Sequence, residues 1–340
     1  MYLMKNMQGR LGNQLFQYAF MRAVQETYAP DAKIVLSFRR KLHEKHSPPK
    51  KDCLLFFRTN HRRLTRLPLT SSQKILIFML SAILFIDKKL HSKNNVKRCY
   101  EIEERWQPIL LKHNILWCLN GYRKFDFSKI DWTKNVVFYG YFESPKYFND
   151  ARVLEILRNE FMPNCVERIK ELPIYQKLKN SNSVCLHVRR GDFVGHPRHD
   201  VCSINYYQKA INTIIRADKL QKRLGRIMPP HSPYHTPLQF AVFSDDSDWV
   251  RKNLKLPQDT IFVDDIEWDF IVQYIMRACR NFIMSNSTFS WWAQFLSEHH
   301  DNKGMVIAPV NWWNDDKHQD IYLNRWHLIN NNSPGKGGLL

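Results

Sequence analysis

Residues 184–193 read VCLHVRRGDF, and this stretch decides the fold class. Side chains of a strand alternate between its two faces. Cys185, His187 and Arg189 therefore share one face, and Val184, Leu186, Val188 and Arg190 share the other. An apolar run that ends in His187 and Arg189 and then turns at Gly191 reads as a buried parallel strand. It places an imidazole and a planar cation at a carboxyl-terminal sheet edge, where open α/β sheets bind ligands. An arginine fork there suits a diphosphate. The competing reading is a strand end whose arginines pair with surface carboxylates.

The flanking sequence continues the same rhythm. Strands are expected at Phe240–Phe243, Ile261–Val263, Phe282–Met284 and Met305–Ala308, with helices at Asn205–Arg216, Asp269–Cys279 and Ser290–Ser297 between them. An earlier zone has an N-terminal strand, a turn at Gly9–Gln14, a helix through Val24, strands at Ile34–Leu36 and Val136–Tyr141, and a helix near Asp150–Glu160. Alternating strands and helices mean parallel sheets with right-handed crossovers. The expected architecture is α/β, with two Rossmann-like domains facing a cleft. The first covers 1–175 and carries a basic, irregular insertion at about 39–100; the second covers 182–330. Glu171–Ser183, with Pro173 and the polar run NSNS, reads as the linker.

Composition narrows the classes of function. Of 340 residues, 44% are hydrophobic and 24% charged, which is ordinary for a globular chain. Seven cysteines without paired spacing or C-x-x-C argue against a disulfide framework and a zinc site, and point to a reducing cytosol. The fold is expected to begin at once after Met1, with no signal peptide. The longest apolar run, Ile75–Ile86, is about 18 Å of helix, too short for a ~30 Å hydrocarbon layer. Lys74, Lys88 and Lys89 flank it, so it reads either as an interfacial helix against anionic lipid or as a buried core helix. The net charge is +19, and residues 31–100 hold 17 Lys/Arg against four acids. Such a segment attracts polyanions or anionic membrane. No aromatic-interleaved basic motif accompanies it, so no nucleic-acid partner is expected.

Four further blocks carry candidate chemistry. GRLGNQLFQYAF (9–20) is a two-glycine turn opening a helix; Gly12 allows close backbone approach, and Asn13 and Gln14 offer amides where a helix start favours anions. SNSTFSWWAQFL (285–296) offers Ser287, Thr288 and Ser290 as capping or phosphate-binding hydroxyls, while Trp291 and Trp292 suit core packing. FSDDSD (243–248) ends a strand. Asp245 and Asp246 can accept hydrogen bonds from a guanine or a ribose, and Asp246 with Asp248 also admits a divalent cation. Asp264-Asp265 and Asp315-Asp316 are similar acid pairs, more simply read as solvated. FYGYFESPKYF (138–148) is either a sugar-binding face or core, and its Glu143 either a base or a partner of Lys146. His196, His199 and Asp200 follow the arginine motif closely.

Taken together, GRLGNQLFQYAF, YGYFESPKYF, HVRRGDF and SNSTFSWWAQFL resemble the bacterial α-1,2-fucosyltransferases, in that family's order, over nearly the whole chain except 39–100 and the tail after Asn330. The resemblance implies a GT-B-like fold and inverting transfer from GDP-β-L-fucose to the 2-hydroxyl of a terminal β-galactoside, giving an α-1,2 linkage. It implies that Arg189 contacts the β-phosphate, His187 the nucleotide, Asp245 or Asp246 the guanosine, and Ser287 and Thr288 the phosphate end. Gly12 and Asn13 join the expected donor site. Arg190 is expected to be mainly structural, paired with an acid such as Asp192. No essential metal is implied. The expected partners are GDP-fucose and a galactose-terminated or lipid-linked glycan, with peripheral contact to the inner membrane face from a cytoplasmic location. Asp192, Glu143 and His199, in that order, are candidate bases. Ala293 stands where many relatives have Gly. The alternatives are another fucosyl linkage (α-1,6 or protein O-linked), a metal-dependent glycosyltransferase using Asp246 and Asp248, and a non-enzymatic basic membrane-binding protein.

Overall fold

The computed structural model describes residues 1–38, 52–91, 96–119, 121–224, 236–297, 304–314 and 320–331. The chain forms two units, Met1–Asn164 with Asp315–Tyr322, and Cys165–Asn314 with Leu323–Leu340.

In the first unit the apolar runs LM, IVL and VVF lie at the centres of buried strands. The elements are β1 (Tyr2–Asn6), α1 (Leu11–Tyr28), β2 (Lys33–Ser37), β3 (Arg62–Arg63), α2 (Ser71–Leu90), α3 (Val96–Lys112), β4 (Ile115–Cys118), β5 (Val136–Gly140) and α4 (Ala151–Glu160). The sheet runs β3-β2-β1-β5-β4, and every pairing is parallel. Strands buried on both faces need no polar alternation. Met4, Val35, Leu80, Leu84, Leu110, Ile115, Trp117 and Val137 form one core, to which α2 and α3 both contribute. The stretch 39–100 is therefore not an irregular insertion where it is described: β3 extends the sheet and α2 and α3 pack against it. Residues 39–51 and 92–95 lie outside the described residues.

The second unit contains α5 (Val166–Lys170), α6 (Pro173–Lys179), β6 (Asn182–Val188), α7 (Ile204–Leu224), β7 (Leu238–Ser244), α8 (Ser247–Asn253), β8 (Ile261–Phe262), α9 (Asp269–Arg277), β9 (Asn281–Ile283), α10 (Thr288–Phe295), β10 (Val306–Pro309) and β11 (His327–Ile329). The supposed linker Glu171–Ser183 is instead part of this unit. Pro173 opens α6, where a missing N–H costs nothing, and Tyr175 and Leu178 anchor it. The chain passes from one unit to the other at Asn164–Cys165, and Asp315–Tyr322 belongs to the first unit.

This sheet is also parallel throughout, in the order β11-β10-β9-β6-β7-β8. From β6 the chain builds outward through β7 and β8. Then α9 carries it to β9 on the other side of β6. The strand order thus reverses between β6 and β9, the switch point at which open α/β sheets place ligands. Val184, Leu186 and Val188 pack with Tyr206, Ile211, Phe240, Val242 and Ile283 in the core beneath. The architecture is α/β and GT-B-like, with two Rossmann-like units.

Candidate active site at the carboxyl edge of the second sheet

Register builds the site. The β6–β7 ladder ends with Val188 opposite Ser244. The next two residues of each strand continue this correspondence as ion pairs. Arg189 Nη1 lies 2.9 Å from Asp245 Oδ2, and Arg190 Nε lies 3.0 Å from Asp246 Oδ2. Arg189 Nη2 also reaches Asp192 Oδ1 at 2.5 Å. Asp245 Oδ1 accepts from the Arg190 backbone N–H at 2.8 Å, which ties the two loops together. A side chain at Gly191 would put its Cβ 2.5 Å from Asp245 Oδ2, so the close approach favours glycine there.

Asp192 is not the partner of Arg190, as the sequence had suggested; it binds Arg189, and Asp246 binds Arg190. Asp246 also caps α8, accepting from the Trp249 N–H at 3.1 Å, and the Arg190 guanidinium lies 3.8 Å from the Trp249 ring centroid. The hydrogen bond from Arg190, more than any other cause, holds the Asp246 carboxyl below the usual range. Arg190 is therefore fixed on both sides. Arg189 faces two carboxylates and the ring of Phe193, with its centroid at 5.5 Å.

Across the switch point, His187 on β6 meets the residue that follows Met284. Its Nδ1 lies 2.8 Å from Ser285 Oγ. His187 is buried, and burial, with a smaller contribution from the Arg189 charge, pushes its imidazole down to about 3. It is thus a neutral hydrogen-bonding ring at ordinary pH, not a cation. Tyr206 on α7 donates to the Met284 carbonyl at 2.6 Å, and Asn286 donates to the carbonyls of His199 and Trp312 at 3.0 and 2.9 Å. These bonds hold the loop before α10. Ser287 caps α10 by accepting from the Phe289 N–H at 3.3 Å, and Thr288 opens the helix. Trp291 and Trp292 are fully buried, as core packing requires. A helix N-terminus and an arginine fork at the carboxyl ends of neighbouring strands are each chemically suited to an anion.

The loop after β6 brings two histidines near Asp192. The rings of Phe193 and His199 stack with centroids 4.9 Å apart, and those of His196 and His199 lie 4.4 Å apart. Burial, then the charges of Arg198 and His196, push His199 down to about 4, while Asp192 acts in the opposite sense. Its Nδ1 is buried without a hydrogen-bond partner among the described residues. Asp200 accepts from the Gly195 N–H at 2.8 Å.

The structure thus brings His187, Arg189, Asp192, Asp245, Asp246, Ser287 and Thr288 to one sheet edge. Gly12 and Asn13 stand in the first unit, at the turn from β1 into α1. Gly9 there has φ +70°, and an added Cβ would meet the Asn13 amide at 2.3 Å. Gln14 does not offer its amide to a ligand: Nε2 donates to the Gly9 carbonyl and Oε1 accepts from the Cys53 N–H. The aromatic block 138–148 is mostly core, since Phe138, Phe142 and Phe148 are buried. Lys146 is paired with Asp320 rather than with Glu143. Among acid pairs once open to a metal, Asp246 is held by Arg190, and Asp264 by Arg251 at 2.8 Å; Asp315-Asp316 lies outside the described residues. Among the described residues no three His, Cys, Asp or Glu cluster as a metal site. Sequence reasoning gave no role to Ser285, Asn286 or Trp249. Aligning the strand ends HVRR and FSDD would have exposed the two ion pairs.

The model for glycosyl transferase family 11 matches residues 3–330. The chain belongs to that family. Three curated relatives resemble this family 11 chain over about half its length. The O-antigen biosynthesis glycosyltransferase WbnK of Escherichia coli is 27% identical over 53% of this chain and 58% of its own. An alpha-1,2-colitosyltransferase of Escherichia coli is 29% identical over 53% and 57%, respectively. A galactoside 2-alpha-L-fucosyltransferase of Caenorhabditis elegans is 27% identical over 48% and 42%. The matched stretch spans about half the length of these relatives. No helix among the described residues is long and apolar enough to cross a membrane.

Proposed function

We propose that this family 11 glycosyltransferase moves L-fucose from GDP-β-L-fucose to the 2-hydroxyl of a terminal β-galactoside, with inversion, forming an α-1,2 linkage. One observation carries the reading: Arg189 follows β6 and the start of α10 follows β9, so both stand at the carboxyl ends of the two strands that flank the switch point. As the bond from fucosyl C1 to the diphosphate breaks, C1 becomes oxocarbenium-like and negative charge collects on GDP. Arg189 and the amino end of α10 stabilise that charge, with Ser287 and Thr288 at the phosphate end. Asp245, Asp246 and His187 line the nucleotide side.

The acceptor hydroxyl attacks from the opposite face and must lose a proton. Asp192 is the first candidate to take it, ahead of Glu143 and His199. Its carboxylate is paired with Arg189, so a bound diphosphate competes for the same fork and frees the carboxylate as the donor arrives. Arginine supplies the charge that a cation would otherwise provide, and no essential metal is needed. The acceptor is a galactose-terminated or lipid-linked glycan such as a surface polysaccharide.

The test is incubation with GDP-fucose and a panel of galactosides, with and without EDTA, and NMR of the product linkage. A Fuc-α-1,2-Gal product formed equally in EDTA is expected. An α-1,6 product or strict dependence on a divalent cation would overturn the linkage or the mechanism. A second reading, a colitosyl donor in place of fucosyl, is favoured by the 29% identity to an alpha-1,2-colitosyltransferase, and the same assay with both donors separates the two.

A further inference from the structure

Helix α2 buries only one of its two apolar faces. Leu80 and Leu84 enter the core of the first unit, together with Gln73, which completes a capping box with Thr70. The other face is bare. Ile75 (57%), Phe78 (74%), Met79 (44%), Ile83 (36%), Phe85 (59%), Ile86 (54%) and Leu90 (74%) are all exposed. These are seven of the 17 large hydrophobic residues exposed among the described residues, gathered on one helix of 20 residues. At 3.6 residues per turn they cover an arc of roughly 160°. A surface helix normally turns polar residues outward along such an arc.

Charge identifies what the arc fits. Lys74, Lys88 and Lys89 are exposed on the same helix. Lys89 Nζ lies 4.7 Å from the Phe85 ring centroid, so the lysine stem lies along the apolar face with its charge free to reach outward. The helix's one acid, Asp87, is buried and paired with Arg98. An apolar strip bordered by lysines, with no exposed acid on the helix, matches a bilayer interface with anionic headgroups. A second copy of this chain fits less well, because its own three lysines and its net charge of +19 would meet charges of the same sign.

We propose that the outer face of α2 docks the protein on an anionic lipid bilayer, with the phenylalanines and isoleucines in the headgroup–acyl boundary and the lysines at the phosphates. The proposal does not depend on which sugar is transferred. Its test is flotation of the full chain with vesicles of phosphatidylcholine alone and of phosphatidylcholine with about 30% phosphatidylglycerol. The wild type is expected to float with the anionic vesicles and to be released by about 0.5 M salt. The F78S/F85S variant is expected to lose at least about tenfold in binding, with an unchanged melting temperature, because both side chains are already in water. The K74Q/K88Q/K89Q variant is expected to bind the two vesicle types equally. A wild type that stays with the soluble fraction would overturn the proposal. So would F78S/F85S floating as well as wild type, or a wild-type dimer in sedimentation that this variant dissolves, since a second copy would then cover the face.

Discussion

Arg189 and Arg190 are adjacent in sequence and differ in what holds them. Arg190 is stacked on Trp249 and bound by Asp246, whose other oxygen caps α8. Arg189 is held by carboxylates that a diphosphate can replace. Arg189→Ala is therefore expected to lower kcat/KM by at least about 100-fold, about 3 kcal/mol of transition-state stabilisation, with an unchanged melting temperature. Arg189→Lys should recover little of this, because a point charge cannot replace a fork. Near-normal turnover in Arg189→Ala would contradict the assignment. His187 makes a separate prediction about stability. It stays neutral when folded down to about pH 3, but takes up a proton near 6.5 once unfolded. Its contribution is intact above 6.5 and is lost as the pH falls toward about 3, by at most about 1.4 kcal/mol per pH unit. His187→Asn, which keeps an amide near the Nδ1 position, should flatten the fall in urea-derived stability between about pH 7 and about pH 5. Equal slopes in the two proteins would refute the buried neutral ring. The sequence made His187 and Arg189 legible because strand alternation and a turn glycine fix where they stand. It missed Asp245 and Asp246 as partners of the two arginines and gave Asp192 to Arg190, because those two acids lie 56 residues away and only register brings them level.

Elements differ in how well their sequence declares them. β6 and α10 were readable because a short apolar run abuts a turn or a cap. The four-residue β4 and two-residue β3 are too short to leave a periodic signal, and the charged α3, with Pro108 inside it, hides its amphipathic pattern. α2 was visible as an apolar run, but periodicity gives no direction to a helix that is apolar on both faces. Strand β5 ends at a sharper constraint. Gly140 has φ +129°, and a Cβ there would lie 1.8 Å from the Cys118 carbonyl oxygen on β4. Gly140 also accepts from the buried Lys5 Nζ at 2.6 Å through its own carbonyl. Gly140→Ala is thus expected to cost about 3 kcal/mol, combining a disfavoured backbone with overpacking. Urea unfolding would measure it, and a loss below about 1 kcal/mol would mean that β4 and β5 part easily.

On the scale of the whole molecule, the two-sheet plan was legible because strand–helix alternation is a long-range pattern that survives local errors. The assignment of residues to units was not, because Asp315–Tyr322 returns to the first unit after the second is nearly finished. Asp320 is tied there by its carbonyl, which accepts from Ser144 Oγ at 2.8 Å, and by its ion pair with Lys146. A fragment ending at Asn164 should therefore be cut by protease around residues 141–150 faster than the full chain, and Asp320→Ala in the full chain should move cleavage partway in that direction. Indistinguishable digestion patterns would show that the returning stretch is dispensable. The same topology sets a timetable for synthesis. A ribosome releases residues 1–164 long before residue 320, so the amino-terminal half must wait, partly unfinished, while the carboxyl-terminal half is made. Birth order and completion order are thus uncoupled, and the last turns of translation close the part of the protein that was made first.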